Sequence, residues 1–266
     1  MNQFFLGDVL KILKEIDSNS IDLGITSPPY NKMEKHNGGL VSSVKYDKYK
    51  DSMSEKDYQR WQIEVLDELY RIIKPGCSFF YNHKIRYLNG TMLHPLEWLR
   101  KTKWRLRQEI IWNRDIAGNI RGWRFWPIEE RIYWLYKPID KNDKGKELMS
   151  KHALLTSIWD IRPEMKNKMH PAPFPLEVPL RIIFSIFDIE DSKTIIDPFI
   201  GSGTTALAAK FLNHNFLGID ISEQYINQSK IRLENMENER AVVDREISLH
   251  KVNKTYKQRK EEARKK

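Results

Sequence analysis

The string Ile195-Ile196-Asp197-Pro198-Phe199-Ile200-Gly201-Ser202-Gly203-Thr204-Thr205-Ala206 constrains this chain more than any other stretch. A short apolar run ends in an acid and a proline, crosses a glycine turn and enters an Ala-rich segment. That order predicts a strand, a loop and a helix N-terminus. Gly201 and Gly203 let the backbone turn sharply and leave room for a ligand to lie against it. The helix start offers unpaired N–H groups. A second apolar run, Asn215-Phe216-Leu217-Gly218-Ile219-Asp220, ends in another acid. A carboxylate at such a strand tip, beside a glycine turn, is placed to accept both hydroxyls of a ribose. Together these features predict a nucleoside-cofactor pocket.

Two cofactor classes are open at this point. Gly201-Ser202-Gly203-Thr204-Thr205-Ala206 formally satisfies the G-x-G-x-x-A dinucleotide fingerprint, which makes an NAD-dependent oxidoreductase one reading. The phosphate loop of NTPases is excluded, because no Gly-Lys-Ser/Thr follows the glycines.

The chain has 266 residues, which suits one α/β domain with insertions. Its net charge of +9 favours a polyanionic partner. Part of that charge sits in residues 252–266, with seven Lys or Arg against two Glu, a basic helical or disordered tail. Cys77 is the only cysteine, so neither a disulfide framework nor a cysteine-based zinc site is expected. The scattered histidines suggest no metal site. Cys77 leads into Ser78-Phe79-Phe80-Tyr81 and reads as a core thiol. Nothing resembles a signal peptide or a spanning helix, so the expectation is a soluble, cytoplasmic protein without membrane partners.

In chain order, residues 2–6 and 21–25 read as strands flanking a helix over 9–16. Residues 31–51 form a long, aperiodic loop of the kind that serves function. Ser54 caps a helix that runs to about residue 73, where Lys74-Pro75-Gly76 ends it. A strand over 77–82, a helix around 92–101, and strands over 105–112 and 131–136 follow, the last two as an antiparallel edge. Residues 179–187 and 223–237 read as helices. Strands alternating with helices predict a parallel, doubly wound sheet.

The strand over 21–25 runs directly into Thr26-Ser27-Pro28-Pro29-Tyr30. Two consecutive prolines cannot continue a sheet and they stiffen the turn. Tyr30 is thereby held at the carboxyl edge of the sheet, where ligands bind in such folds.

Thr26-Ser27-Pro28-Pro29-Tyr30, followed far downstream by the Asp197 to Thr205 string, resembles the S-adenosylmethionine-dependent DNA amino-methyltransferases. With the catalytic motif first and the cofactor motif late, the order resembles their beta class. His170-Pro171-Ala172-Pro173-Phe174-Pro175 is similar to that family's other cofactor-side motif. Gly7-Asp8 resembles the strand end whose acid meets the cofactor adenine. The resemblance spans residues 2–237 and implies a Rossmann-like fold with a seven-stranded, mostly parallel sheet in circularly permuted motif order. It implies one catalytic domain over 1–237, with DNA-recognition insertions at about 31–51 and 113–169 and a basic tail over 238–266.

The chemistry accounts for the residue types. An exocyclic base amine is a poor nucleophile, because its lone pair is delocalised into the ring. It must be oriented, and its N–H groups accepted, in line with the sulfonium methyl. The Ser27 hydroxyl and the Pro28 carbonyl are the candidate acceptors, Pro29 stiffens the turn, and Tyr30 would stack on a base flipped from the duplex. Carbon-5 cytosine methylation would need a Pro-Cys nucleophile, and Cys77 follows Gly76. For S-adenosylmethionine, the resemblance implies Asp220 at the ribose and Asp8 at the adenine amine. Phe199, Gly201, Ser202, Gly203, Thr204 and Thr205 would line the methionine moiety. Asp197 would approach its ammonium, and Thr26, His170, Pro171 and Pro173 would complete the pocket.

Double-stranded DNA would be met by Arg114, Arg121, Trp123, Arg124 and Trp126, which mix donors with stacking surfaces. A cognate restriction endonuclease and a second copy of the chain are the other partners the resemblance implies. RNA or protein amine methyltransferases with a Pro-Pro-Tyr turn usually carry Asn before the prolines and place the cofactor motif first. This chain does neither. In the resembling family Ser before Pro-Pro-Tyr usually accompanies cytosine N4 methylation and Asp usually adenine N6, so cytosine N4 is the expectation and adenine N6 the alternative.

Overall fold

The computed structural model describes residues 2–31, 47–48, 51–117, 120–145, 155–163, 175–187, 192–250 and 256–265. Its elements are β1 (Asn2–Leu6), α1 (Val9–Glu15), β2 (Ile21–Thr26), α2 (Glu55–Ile72), β3 (Ile73–His83), β4 (Arg86–Leu88), β5 (Thr91–Leu93) and α3 (Leu96–Leu99). They continue with β6 (Arg105–Asn113), β7 (Glu129–Tyr136), β8 (Ile158–Asp160), α4 (Glu177–Ile186), β9 (Thr194–Asp197) and α5 (Thr204–Phe211). Last come β10 (Asn215–Asp220), α6 (Glu223–Glu234), α7 (Arg240–His250) and α8 (Tyr256–Ala263).

Eight strands form one sheet in the order β1-β10-β9-β2-β3-β7-β6-β8. Strands β1, β10, β9, β2 and β3 are mutually parallel, and β7 runs antiparallel to both of its neighbours. Successive side chains point to opposite faces of a strand. Phe80, Ile132, Trp134, Ile195 and Phe216 therefore face α4, α5 and α7. Their chain neighbours Phe79, Tyr81, Tyr133, Ile196 and Leu217 face α1, α2 and α3. Strands buried on both faces are apolar throughout, which is why 195–196 and 216–219 read as continuous apolar runs.

This is the doubly wound, mostly parallel α/β architecture expected, with one strand more than the seven anticipated. The eighth, β8, pairs parallel to β6 through only three residues, too few to show a period. Three local expectations are corrected. The helix α2 ends at Ile72, about where expected, but Lys74, Pro75 and Gly76 lie within β3, which follows at once, and a register shift against β2 accommodates them. The helix expected around 92–101 is one turn only, because Asn89 and Gly90 at positive φ close a β4–β5 hairpin before it. Strand β7 is not at the edge but lies between β3 and β6.

The packed body also continues beyond residue 237. In α7, Val243 joins the core and Glu246, 2% exposed, pairs with the buried Arg181 of α4. Cys77 is half-buried at the margin of the second core cluster. Among the described residues, no helix is long and apolar enough to cross a membrane.

The order of strands sets the position of the site. From β9 the chain moves outward to β10, and from β2 it moves the opposite way to β3, so the neighbours β9 and β2 diverge. A crevice opens at the carboxyl ends of two such strands, and ligands bind there in open α/β sheets.

Candidate active site

One wall of the crevice is the turn from β9 into α5. Gly201 and Gly203 take φ of 50° and 80°, in the left-handed region that favours glycine. A Cβ on Gly203 would sit 2.9 Å from the Cβ and Oγ of Ser229. The turn is pinned from below by α6. Ser229 Oγ donates to the Gly201 carbonyl at 2.7 Å. Arg232 Nη1 donates to the Ser202 carbonyl at 3.1 Å and to Thr204 Oγ1 at 2.8 Å. Glu239 holds that guanidinium through two bonds of 2.6 and 2.8 Å. No side chain caps the N-terminus of α5. Ser229 and Arg232 lie far downstream of the glycines, and no local pattern marks them.

Asp220, at the tip of β10, accepts Gly201 N on Oδ2 at 3.0 Å and Ser222 N on Oδ1 at 2.8 Å. The carboxylate keeps acceptor capacity beyond its backbone bonds. Burial raises its pKa, while the backbone N–H bonds oppose the rise. Asp8 follows the adjoining strand β1: its side chain caps α1 by accepting Lys11 N at 3.1 Å, and Gly7 N bonds the Asp220 carbonyl at 2.9 Å. Asp47, from the long insertion, accepts the Ser222 hydroxyl at 2.7 Å. Phe199 leans edge-on against Trp61 of α2, with ring centroids 5.5 Å apart. His170, Pro171 and Pro173 lie outside the described residues.

Asp197 is the hinge of the arrangement. Its Oδ1 accepts Thr26 Oγ1 at 2.7 Å and Phe199 N at 3.0 Å, and its Oδ2 accepts Thr205 Oγ1 at 2.6 Å. Complete burial pushes its pKa up to about 6, against the pull of these three bonds. The structure thus joins Asp197 to its own neighbours and to the end of β2.

The opposite wall is the Ser27 to Tyr30 turn. Tyr30 is 6% exposed, and its ring leans on His83 at 4.5 Å. Its hydroxyl donates to Glu130 Oε2 at 3.0 Å and lies 2.8 Å from Ser27 Oγ. Asn82 Nδ2 donates to the Tyr30 hydroxyl at 2.8 Å and also approaches Ser27 Oγ and Glu130 Oε2, each at 3.2 Å. Asn82 Oδ1 is buried without a hydrogen-bond partner among the described residues. Behind the prolines, the Tyr58 hydroxyl sits 2.9 Å from the Pro29 carbonyl oxygen and 2.7 Å from His83 Nε2. Asn31, at φ 50°, exchanges bonds with Met53 through both polar atoms of its side-chain amide.

The residues expected at DNA separate into two groups. Arg114 turns inward, and its Nη1 meets Glu130 Oε1 at 2.5 Å. Arg121, Trp123, Arg124 and Trp126 stay on the loop between β6 and β7. There Arg124 stacks over the Tyr87 ring at 4.3 Å and Trp123 at 5.5 Å. Between them Phe125 stands 98% exposed. Sequence reasoning missed Asn82, Glu130, Tyr87 and Phe125. Only Phe125 had a signal, as one more aromatic in Trp123-Arg124-Phe125-Trp126.

Comparison with known proteins is consistent across three lines. A family model described as DNA methylase, for N6 and N4 methyltransferases, matches residues 21–231. The chain is 29% identical over 261 residues to the type II methyltransferase M.BglII of Bacillus subtilis, covering 85% of this chain and 67% of that protein. It is 28% identical over 257 residues to M.HinfI of Haemophilus influenzae, covering 88% and 68%. Its fold is similar to that of the PvuII DNA methyltransferase (cytosine-N4-specific), with a TM-score of 0.67, 19% identity and 93% of both chains covered. It is also similar to that of M1.HpyAVI solved with SAM, with a TM-score of 0.61, 22% identity, and 88% and 99% covered.

Proposed function

The chain belongs to the DNA methylase family, and from that premise we propose that it methylates cytosine N4 in double-stranded DNA, with S-adenosyl-L-methionine as methyl donor. The observation that carries this reading is the Thr26–Asp197 bond of 2.7 Å, which sets the Ser27 to Tyr30 turn beside the glycine turn. Transfer between two bound molecules needs both held at one place in line, and that juxtaposition supplies it.

The residues present fit the donor. A Cβ-free Gly203, an uncapped helix start and a carboxylate at the β10 tip form a cradle for a nucleoside that also carries an amino acid. When bound, S-adenosylmethionine supplies an electrophilic methyl on its sulfonium. Asp220 would hold the ribose with its remaining acceptor capacity, and Asp8 would accept the adenine amine. Phe199, Gly201, Ser202, Thr204 and Thr205 would surround the methionine part, with Asp197 shaping the turn from within.

On the other wall, Ser27 Oγ and the Pro28 carbonyl accept the two N–H bonds of the base amine. This fixes the nitrogen lone pair toward the methyl. Tyr30 forms the wall of the base pocket, with its hydroxyl tied behind the ring. Arg121, Trp123, Arg124, Phe125 and Trp126 meet the duplex, and the surplus positive charge attracts its phosphates.

The choice of cytosine rests on Ser27, a neutral hydroxyl where adenine enzymes of this kind usually carry a carboxylate. The likeness to the cytosine-N4-specific PvuII enzyme is one of fold and does not decide the base. We extend the proposal to a type II modification role in the cytoplasm beside a cognate restriction endonuclease, with the catalytic and cofactor residues all within 1–237. The experiment is digestion of methylated DNA to nucleosides and their identification by mass. N4-methylcytosine is the expected product. N6-methyladenine alone would overturn the base assignment, and binding of NAD with no response to S-adenosylmethionine would overturn the reaction.

A further inference from the structure

Glu130 stands behind the Ser27 to Tyr30 turn, at the start of β7. We propose that it sets the direction of the hydrogen bonds at the reacting amine and ends the path by which that amine loses its proton. The inference rests on the amino-methyltransferase reading above.

A carboxylate has no proton to give, so it can only accept. Tyr30 must therefore point its single hydroxyl proton at Glu130 Oε2, 3.0 Å away. With that proton committed, the Tyr30 oxygen accepts in its 2.8 Å contact with Ser27 Oγ, and Ser27 is the donor. With its own proton committed to Tyr30, Ser27 presents lone pairs to the crevice. It can accept an amine N–H and cannot compete for the nitrogen lone pair. Asn82 Nδ2 supports the same order, since it donates to the Tyr30 hydroxyl at 2.8 Å and approaches Ser27 Oγ and Glu130 Oε2 at 3.2 Å. Arg114 neutralises the buried carboxylate from its far side at 2.5 Å.

The same chain moves the proton. As the amine nitrogen takes the methyl, an N–C bond forms and the sulfonium C–S bond breaks with its electron pair returning to sulfur. The nitrogen then holds one proton too many. That proton passes to Ser27 Oγ, the serine proton to the Tyr30 oxygen, and the tyrosine proton to Glu130 Oε2. Every oxygen between the ends gains one proton and gives one up. Glu130 acts through Tyr30 and Ser27 without touching the base, so it is a positioning residue and the last acceptor.

The test compares wild type, Glu130→Gln, Tyr30→Phe, Arg114→Met and the Glu130→Gln/Tyr30→Phe and Glu130→Gln/Arg114→Met double variants. Single-turnover transfer of labelled methyl to duplex DNA is measured beside cofactor affinity by calorimetry and folding by circular dichroism. Gln fills the same space but can donate as well as accept, so the order of the chain is lost. A misplaced general acid–base group typically costs about 100-fold or more. Glu130→Gln should lose that much in rate, with cofactor and DNA affinities within about threefold. Tyr30→Phe should lose a similar factor, and combining the two should add little, as for members of one pathway. If Glu130 merely balances Arg114, removing both should restore the rate; that double variant staying slow supports the relay. A Glu130→Gln rate within about threefold of wild type, or recovery in the Glu130→Gln/Arg114→Met variant, overturns it. Wild type transferring no methyl at all would instead remove the amino-methyltransferase reading on which the relay stands.

Discussion

Thr26 Oγ1 donates to Asp197 Oδ1 across 2.7 Å, joining residues 171 positions apart at the ends of neighbouring strands. The same carboxylate takes Thr205 Oγ1 from the first turn of α5. One buried acid thus ties the turn carrying Ser27 and Tyr30 to the turn carrying Gly201 and Gly203. Under the function proposed above, that clamp would bring the acceptor of the methyl and its donor together.

Asp197→Asn should make folding stability less dependent on pH. Burial raises the folded pKa of Asp197 from the ordinary 3.8 to about 6. A carboxyl so raised holds its proton more tightly folded than unfolded. Its contribution to stability is full below about pH 4 and is lost as the pH rises through about 6. The interval corresponds to on the order of 3 kcal/mol. Urea denaturation at pH 4 and pH 7 should show wild type losing stability relative to the variant; parallel changes would contradict it.

Gly203→Ala should damage both fold and cofactor binding. The backbone there is at φ 80°, and the added methyl would press on Ser229 at 2.9 Å. Left-handed backbone alone costs a non-glycine residue roughly 1–2 kcal/mol. A thermal shift to lower Tm, with S-adenosylmethionine binding lost on calorimetry, is expected. Unchanged affinity would mean that the donor does not lie against this turn.

Asp220→Ala removes the acceptor assigned to the ribose and unties Gly201 N and Ser222 N. Cofactor affinity should fall by about 1–3 kcal/mol, the usual penalty for buried donors left unpaired. Equal affinity for wild type and variant by calorimetry would move the ribose elsewhere.

Phe125→Ala should leave stability within about 0.5 kcal/mol, because the ring is almost wholly exposed. If that ring stacks on a base or sugar, duplex affinity falls by roughly 1–3 kcal/mol. Fluorescence anisotropy against a cognate duplex decides it. An unaltered dissociation constant would take Phe125 out of the DNA surface.

Arg124→Ala removes a guanidinium stacked on Tyr87 and Trp123. Site preference among duplexes should change, whereas deleting residues 252–266 should weaken all duplexes alike and lower the salt slope. Competition binding at two salt concentrations separates these outcomes. Equal, sequence-independent losses from both would make the loop a phosphate clamp.

Much of the architecture was legible because local patterns carry it. Apolar runs ending in acids marked β9 and β10, and Ser54 capping Asp57 N marked the start of α2. The β4–β5 hairpin is not read from the sequence, although Asn89-Gly90 is a turn signal, because the segment after it reads as a helix. The three-residue β8 had no period to read.

The sequence by itself determined the two turns, because proline, glycine and hydroxyl residues impose their geometry within a few positions of the chain. It determined the alternation of strands and helices for the same reason, since burial on one or two faces is written in the spacing of apolar residues. Only the tertiary structure decided what stands behind those turns. Strand β7 runs against its neighbours, so its first residues, not its last, reach the functional edge of the sheet. That reversal brings Glu130 to Tyr30, 100 positions away, and sets Arg114 against the same carboxylate. A charge placed by strand direction leaves no trace in local spacing, because pairing partners are chosen by the whole sheet.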